Sequence, residues 1–234
     1  MKRNDGKSTP FMPLISGVVL FGSQARNEAD QYSDRDICAF AKAVNFDQRR
    51  TLRDELAFEY QTTPESVCLV TETVAHEMAT TGSLFLWHLK LESKVLQDAN
   101  GFVEGLFGAL HPYSGYKRDL DLYERIRQDV TATTTDINEA DGHALFAACR
   151  NTCMLLTMWH GTPSFGRDAA YARAQAHFPD LPLLPSSYRI LRDLHLVYTR
   201  GVALTVASLS DSQVRTILTE IQDLIQFCRT KIGT

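Results

Sequence analysis

From Gly22 to Asp36 the chain reads GSQARNEADQYSDRD: a Gly-Ser pair, ten intervening residues, then Asp34 and Asp36 flanking Arg35. In a strand, residues two apart project from one face, so Asp34 and Asp36 could serve the same pair of metal ions. Two carboxylates on one face repel and raise at least one pKa unless a cation compensates. Magnesium suits such a pair, because it takes hard oxygen ligands and is usually held by one or two carboxylates together with substrate phosphates. A Gly-Ser turn after a strand offers backbone N–H groups to a phosphate, and Gly22 permits a close backbone approach. Ser23 would then hold a β- or γ-phosphate, and Ser33 could assist from the other side or simply be a turn residue. The implied chemistry is nucleotidyl transfer.

These residues need strands to position them. Leu14 to Phe21 is a compact apolar run and reads as a buried strand; Ile37 to Phe40 continues Asp34-Arg35-Asp36 as a second. A helix is expected from about 47 to 60, with Leu52, Leu56 and Tyr60 at helical spacing. Ser66 to Thr71 reads as a third strand, Thr73 to Thr80 and Leu84 to Leu91 as short helices, and Lys94 to Gln97 as a fourth strand ending in an Asp98-Ala99-Asn100-Gly101 turn. Beyond His111-Pro112 the texture becomes helical, with helices expected at about 116–134, 139–159, 166–177, 186–200 and 211–230. The expectation is an α+β fold, residues 1–110, a small mixed sheet flanked by helices, followed by an all-α bundle over residues 111–234. The Pro-rich run Phe178 to Ser187 is expected to be a turn-forming connection.

Composition narrows the classes. The 234 residues are 44% hydrophobic and 22% charged, ordinary globular values. A net charge of −4 does not favour a broad nucleic-acid surface. The five cysteines are scattered and odd in number, so buried free thiols are expected rather than a disulfide framework. Cys149 and Cys153 lie one helical turn apart, but no second ligand pair with zinc spacing accompanies them. The N-terminal segment lacks a signal-peptide core, and no run approaches the roughly 20 apolar residues of a membrane span. A cytoplasmic protein is expected, with a homo-oligomer left open.

Strand, Gly-Ser, excursion and a second strand opening Ser33-Asp34-x-Asp36 resemble the signature of the DNA polymerase β-like nucleotidyltransferase superfamily. The resemblance extends through Ala25 and Arg26, the Gly-Ser-x-Ala-Arg form of small bacterial members, and covers roughly residues 14 to 110. It implies an Mg²⁺-dependent enzyme, with two ions held by Asp34 and Asp36 and ATP as donor. The superfamily also implies a third carboxylate on a later strand. Here that strand reads Ser66-Val67-Cys68-Leu69-Val70-Thr71, with Cys68 at the acid's place; Glu72 and Glu65, at its two ends, are out of register. Arg35 replaces the usual apolar residue and is expected to point away from the metals. Arg26 reads as a loop-stabilising cation rather than a catalytic group, with contact to a phosphate or an acidic partner as the alternative, and His88 as a hydrogen-bonded histidine rather than a base.

The helical half more loosely resembles the HEPN-like domains of aminoglycoside nucleotidyltransferases, through Arg150-Asn151 and the segment Gly161 to Arg167. Arg150 is followed by His160 only ten positions later, so ribonuclease chemistry is not supported. Arg167 is a candidate triphosphate cation at a helix start, with a salt-bridge or packing role as the alternative. The expected function is transfer of a nucleoside monophosphate, AMP from ATP, to a hydroxyl of a small molecule or protein, with the helical half choosing the acceptor. A degenerate fold that binds nucleotide or a protein partner without turnover is the alternative. A toxin–antitoxin-type modifier of a HEPN partner ranks last, because such antitoxins are usually one short domain.

Overall fold

The computed structural model describes residues 12–28, 33–133, 136–202 and 209–234. The chain divides into two compact units, Met1–Ser114 and Gly115–Thr234.

The first unit is built on a four-stranded sheet. Its strands are β1 (Ile15–Phe21), β2 (Asp36–Ala41), β3 (Val67–Thr71) and β4 (Lys94–Asp98), in the spatial order β3-β2-β1-β4. β1 is antiparallel to β2 and β4, while β2 and β3 are parallel. The helices are α1 (Gly22–Ala25), α2 (Phe46–Glu59), α3 (Glu72–Thr80), α4 (Leu84–Glu92) and α5 (Phe102–Gly108).

Alternation in β2 sorts the core. Cys38 and Phe40 face a cluster with Ala75, Ala79, Leu86, Leu89, Val103 and Leu106, supplied by α3, α4 and α5. Ile37, Ala39 and Ala41 face Leu52 and Leu56 of α2 on the opposite side. Both faces of β2 are therefore buried, which explains its continuous apolar run. Asn45 caps α2 in a reciprocal box with Gln48.

Three local expectations need correction. β2 begins at Asp36, so Asp34 and Arg35 precede the ladder. The Gly-Ser turn is a single helical turn, α1, and the Asp98–Gly101 turn leads into a helix, α5, that the apolar pattern had not indicated. α5 has seven residues, two of them glycine, too short for its periodicity to stand out.

The second unit contains α6 (Tyr116–Thr133), α7 (Glu139–Trp159), α8 (Ala169–His177), α9 (Pro185–Arg200) and α10 (Asp211–Ile232). α7 packs against each of the other four and buries Leu145, Phe146, Cys149, Cys153, Leu155 and Leu156. The cysteines are free thiols, as expected. α9 takes Pro185 into its first turn, where the missing N–H is not required, so the Pro-rich connection ends earlier than anticipated. α8 begins at Ala169, which leaves Arg167 in the preceding turn rather than inside the helix. No helix of the described residues is long and apolar enough to cross a membrane.

Glycine sites separate packing from propensity. A Cβ on Gly142 would lie 2.4 Å from Leu194 Cβ, and one on Gly17 would lie 2.3 Å from Val103 Cγ2. Gly105, within α5, has open space. In denaturant unfolding, Gly142→Ala and Gly17→Ala should each destabilise by about 1–3 kcal/mol. Gly105→Ala should instead stabilise by about 0.5–1 kcal/mol.

Candidate active site

Sheet topology defines one end of the first unit. Phe21 closes β1 directly opposite Asp36, the first residue of β2. β3 starts beside it, with Val67 opposite Ile37, and β4 starts with Lys94 opposite Leu20. The end of one strand and the beginnings of three others therefore converge there.

At this end the chain leaves β1 through Gly22, whose φ is +74°. A Cβ at that position would stand 2.5 Å from Asp36 Oδ2. Glycine is required twice, for the left-handed backbone and for the approach to the carboxylate. The turn continues as Ser23-Gln24-Ala25, closed by Glu28 N–H donating to the Ser23 carbonyl at 2.9 Å. Amides in a first helical turn have no intrahelical acceptors, so such a turn suits an anion.

Asp36 shares the face of Cys38 and Phe40, and burial pushes its carboxyl above the usual range against the lowering effect of the Arg26 guanidinium. Asp34, two residues before the ladder, is half-buried, and it and Ser33 already make contacts within the protein. Arg35 is held by its backbone: its carbonyl accepts from Thr62 Oγ1 at 2.6 Å. Thus β2 fixes Asp36, while Asp34 belongs to the approach to the strand. Among the described residues no three His, Cys, Asp or Glu side chains cluster as a ligand set. The Asp36 carboxylate beside Gly22, with Asp34 two residues before it in sequence, offers hard oxygen donors of the kind Mg²⁺ takes together with water and phosphate.

The strand expected to carry a third acid holds Cys68. Cys68 lies opposite Cys38 in the parallel ladder and packs against the same core face, two residues inward from Asp36. The Cys38 thiol donates to Cys68; with Arg53 and Arg49 also lowering it against the effect of burial, the Cys68 thiol falls to about 7 while Cys38 rises. Glu72 follows Thr71, which pairs with Ala41 and thus belongs to the opposite end of the sheet, where Ser16 Oγ donates to it. Glu65 sits at the correct end but is exposed on the α2 side, in a shallow groove with Arg49, Arg50 and Arg53. Neither acid lies on β3 itself.

Arg26 has acidic partners whose identity the sequence alone does not give. Its Nε donates to Glu28 at 2.7 Å and its Nη1 to Glu92, at the end of α4, at 2.9 Å. His88 Nε2 lies 3.5 Å from the same Glu92 carboxylate, and its ring meets Phe21 edge to face. Glu92 is 66 residues from Arg26 and carries no motif; only the sheet, by placing β4 beside β1, brings it there. In the helical unit, the Arg167 carbonyl accepts from Tyr188 and Arg167 makes further contacts of its own.

Residues 8–84, within the first unit, match the family model of the nucleotidyltransferase domain. The expectation of a nucleotidyltransferase enzyme with a helical region after the sheet is borne out at that level. None of the curated proteins compared matches the chain. Among solved structures, spectinomycin adenyltransferase AAD(9) from Enterococcus faecialis, determined with ATP and spectinomycin, is 13% identical. The match covers 91% of this chain and 92% of that one, with a TM-score of 0.55, a similarity of fold. A toxin–antitoxin structure with AMP-PNP is 22% identical over 51% of this chain and 89% of that one, with a TM-score of 0.32.

The cysteine pair provides a test independent of turnover. The thiolate is the reactive species, and its fraction rises as pH passes the pKa. Iodoacetamide should modify Cys68 with a rate that rises through a midpoint near pH 7, while Cys149 and Cys153, buried, stay unmodified. Peptide mass mapping measures both. A Cys68 midpoint near 9 would show that Cys38 does not donate to it.

Proposed function

We propose that the chain moves AMP from ATP onto a hydroxyl of a small molecule or protein. The observation that carries this reading is the juxtaposition of Gly22 with Asp36: a glycine of positive φ, opening the α1 turn, packed directly against a carboxylate. Asp34 and Asp36 would hold Mg²⁺, which when bound supplies positive charge to the triphosphate and activates the attacking hydroxyl. The α1 amides and the Ser23 hydroxyl would orient the terminal phosphates, with Ser33 beside them and Arg167 as a further proposed cation. Orientation and electrostatics account for most catalysis in phosphoryl chemistry. ATP as donor is supported by the fold shared with an adenyltransferase determined with ATP. The helical unit is proposed to contribute acceptor contacts.

One observation favours a second reading. With Cys68 at the third-acid register, no carboxylate on β3 faces the side of Asp36. A domain that binds nucleotide without transfer would tolerate that replacement.

Full-length protein incubated with ATP, Mg²⁺ and a panel of hydroxyl acceptors should release pyrophosphate. Asp36→Asn and Asp34→Asn should each reduce the rate by about a hundredfold or more, with folding retained by circular dichroism. MgATP binding without pyrophosphate from any acceptor would favour the second reading. Release that survives both substitutions would remove Asp34 and Asp36 from the site.

A further inference from the structure

The Arg26 guanidinium joins elements that are distant in sequence, and does so beside the proposed phosphate turn. Its backbone closes that turn, with Arg26 N–H donating to the Gly22 carbonyl at 3.4 Å. Its side chain, only 15% exposed, spans Glu28 just beyond the turn and Glu92 at the end of α4, the latter also 15% exposed. Its charge acts on Asp36 across Gly22. Charge-assisted bonds of this length, partly removed from water, are the stronger and more directional class. A surface ornament would be largely exposed and singly paired.

We propose that Arg26 is the positioning residue for nucleotide binding: bridged to Glu92, it anchors the Gly22–Ala25 turn to α4 and holds the turn in the conformation that receives the triphosphate. The inference rests on the proposed nucleotide site and adds to it a role for the last residue of Gly-Ser-x-Ala-Arg and for Glu92, which lies outside the motif. Arg26 does not need to touch the nucleotide, because both of its bonded groups belong to the protein. Loss of the bridge frees the turn from α4 and leaves ordering to be supplied at the moment of binding. The two-pronged geometry, Nε to one acid and Nη1 to the other, is specific to arginine; lysine keeps the charge but has a single nitrogen.

The test uses the full chain with Arg26→Gln, Arg26→Lys, Glu92→Gln and the Arg26→Gln/Glu92→Gln double variant. MgATP affinity is measured by calorimetry, amide exchange at Arg26, Asn27 and Glu28 by mass spectrometry, and folding by circular dichroism. Arg26→Gln should weaken MgATP binding about tenfold and accelerate exchange at those amides. Arg26→Lys should recover part of the affinity, and Glu92→Gln should weaken binding in the same direction. The double variant should be no weaker than Arg26→Gln alone, since both remove one bridge. A folded Arg26→Gln protein with wild-type affinity overturns the proposal, even if exchange rises, and leaves the nucleotide reading intact. Additive losses in the double variant overturn the bridge as its mechanism. Failure of the wild-type chain to bind MgATP defeats the nucleotide reading and this proposal together.

Discussion

The pairing of Phe21 with Asp36 is the constraint from which the site follows. Antiparallel ladders fix which residues face each other, and a slip of one residue would turn every side chain of β2 to the other face. Both faces of β2 are buried, against α2 on one side and against α3, α4 and α5 on the other, so the apolar pattern resists such a slip. The carboxylate of Asp36 is thereby held beside the exit of β1, where the only tolerated residue is one with no side chain and a positive φ. Burial penalises the Asp36 charge, and Arg26 offsets part of that penalty.

The same sheet decides the fate of the other acids. β3 runs parallel to β2, which puts its start, not its end, near Asp36 and so excludes Glu72. It also aligns Cys68 with Cys38, a thiol pair among apolar side chains. β4, antiparallel to β1 on the far side, brings the end of α4 and hence Glu92 and His88 to the turn. Polar groups on one side of the Gly22 turn thus come from β2, and those on the other from α4.

Much of this was legible in the residues themselves. Gly-Ser, Asp34-x-Asp36 and the apolar runs are local signals, and they located β1, the turn and the start of β2 to within two residues. The span of β3 was legible as well, because it is a short apolar run bounded by Pro64 and Glu72. Asp34 as a strand residue was not: Asp34 and Arg35 extend the pattern, but the ladder has no partner for them beyond Phe21. The Arg26–Glu92 and Cys38–Cys68 contacts depend on strand order, a long-range property to which periodicity is blind. In the helical half, five amphipathic stretches were enough to place five helices, because each stripe is long and caps such as Asn138 and Ser210 mark the starts. The start of α8 was misplaced by three residues, since Gly166 to Asp168 continue a helix-compatible composition without a cap bond.

The central claim is that Asp36 and the Gly22 turn form one metal–nucleotide site. Manganese, a paramagnetic substitute for magnesium, tests it by electron paramagnetic resonance of the full chain with Mn²⁺ and a nonhydrolysable ATP analogue. The account predicts that the free Mn²⁺ signal is depleted beyond what the analogue alone produces, and that Asp36→Asn abolishes this extra depletion in a folded protein. Equal depletion by wild type and Asp36→Asn would contradict it.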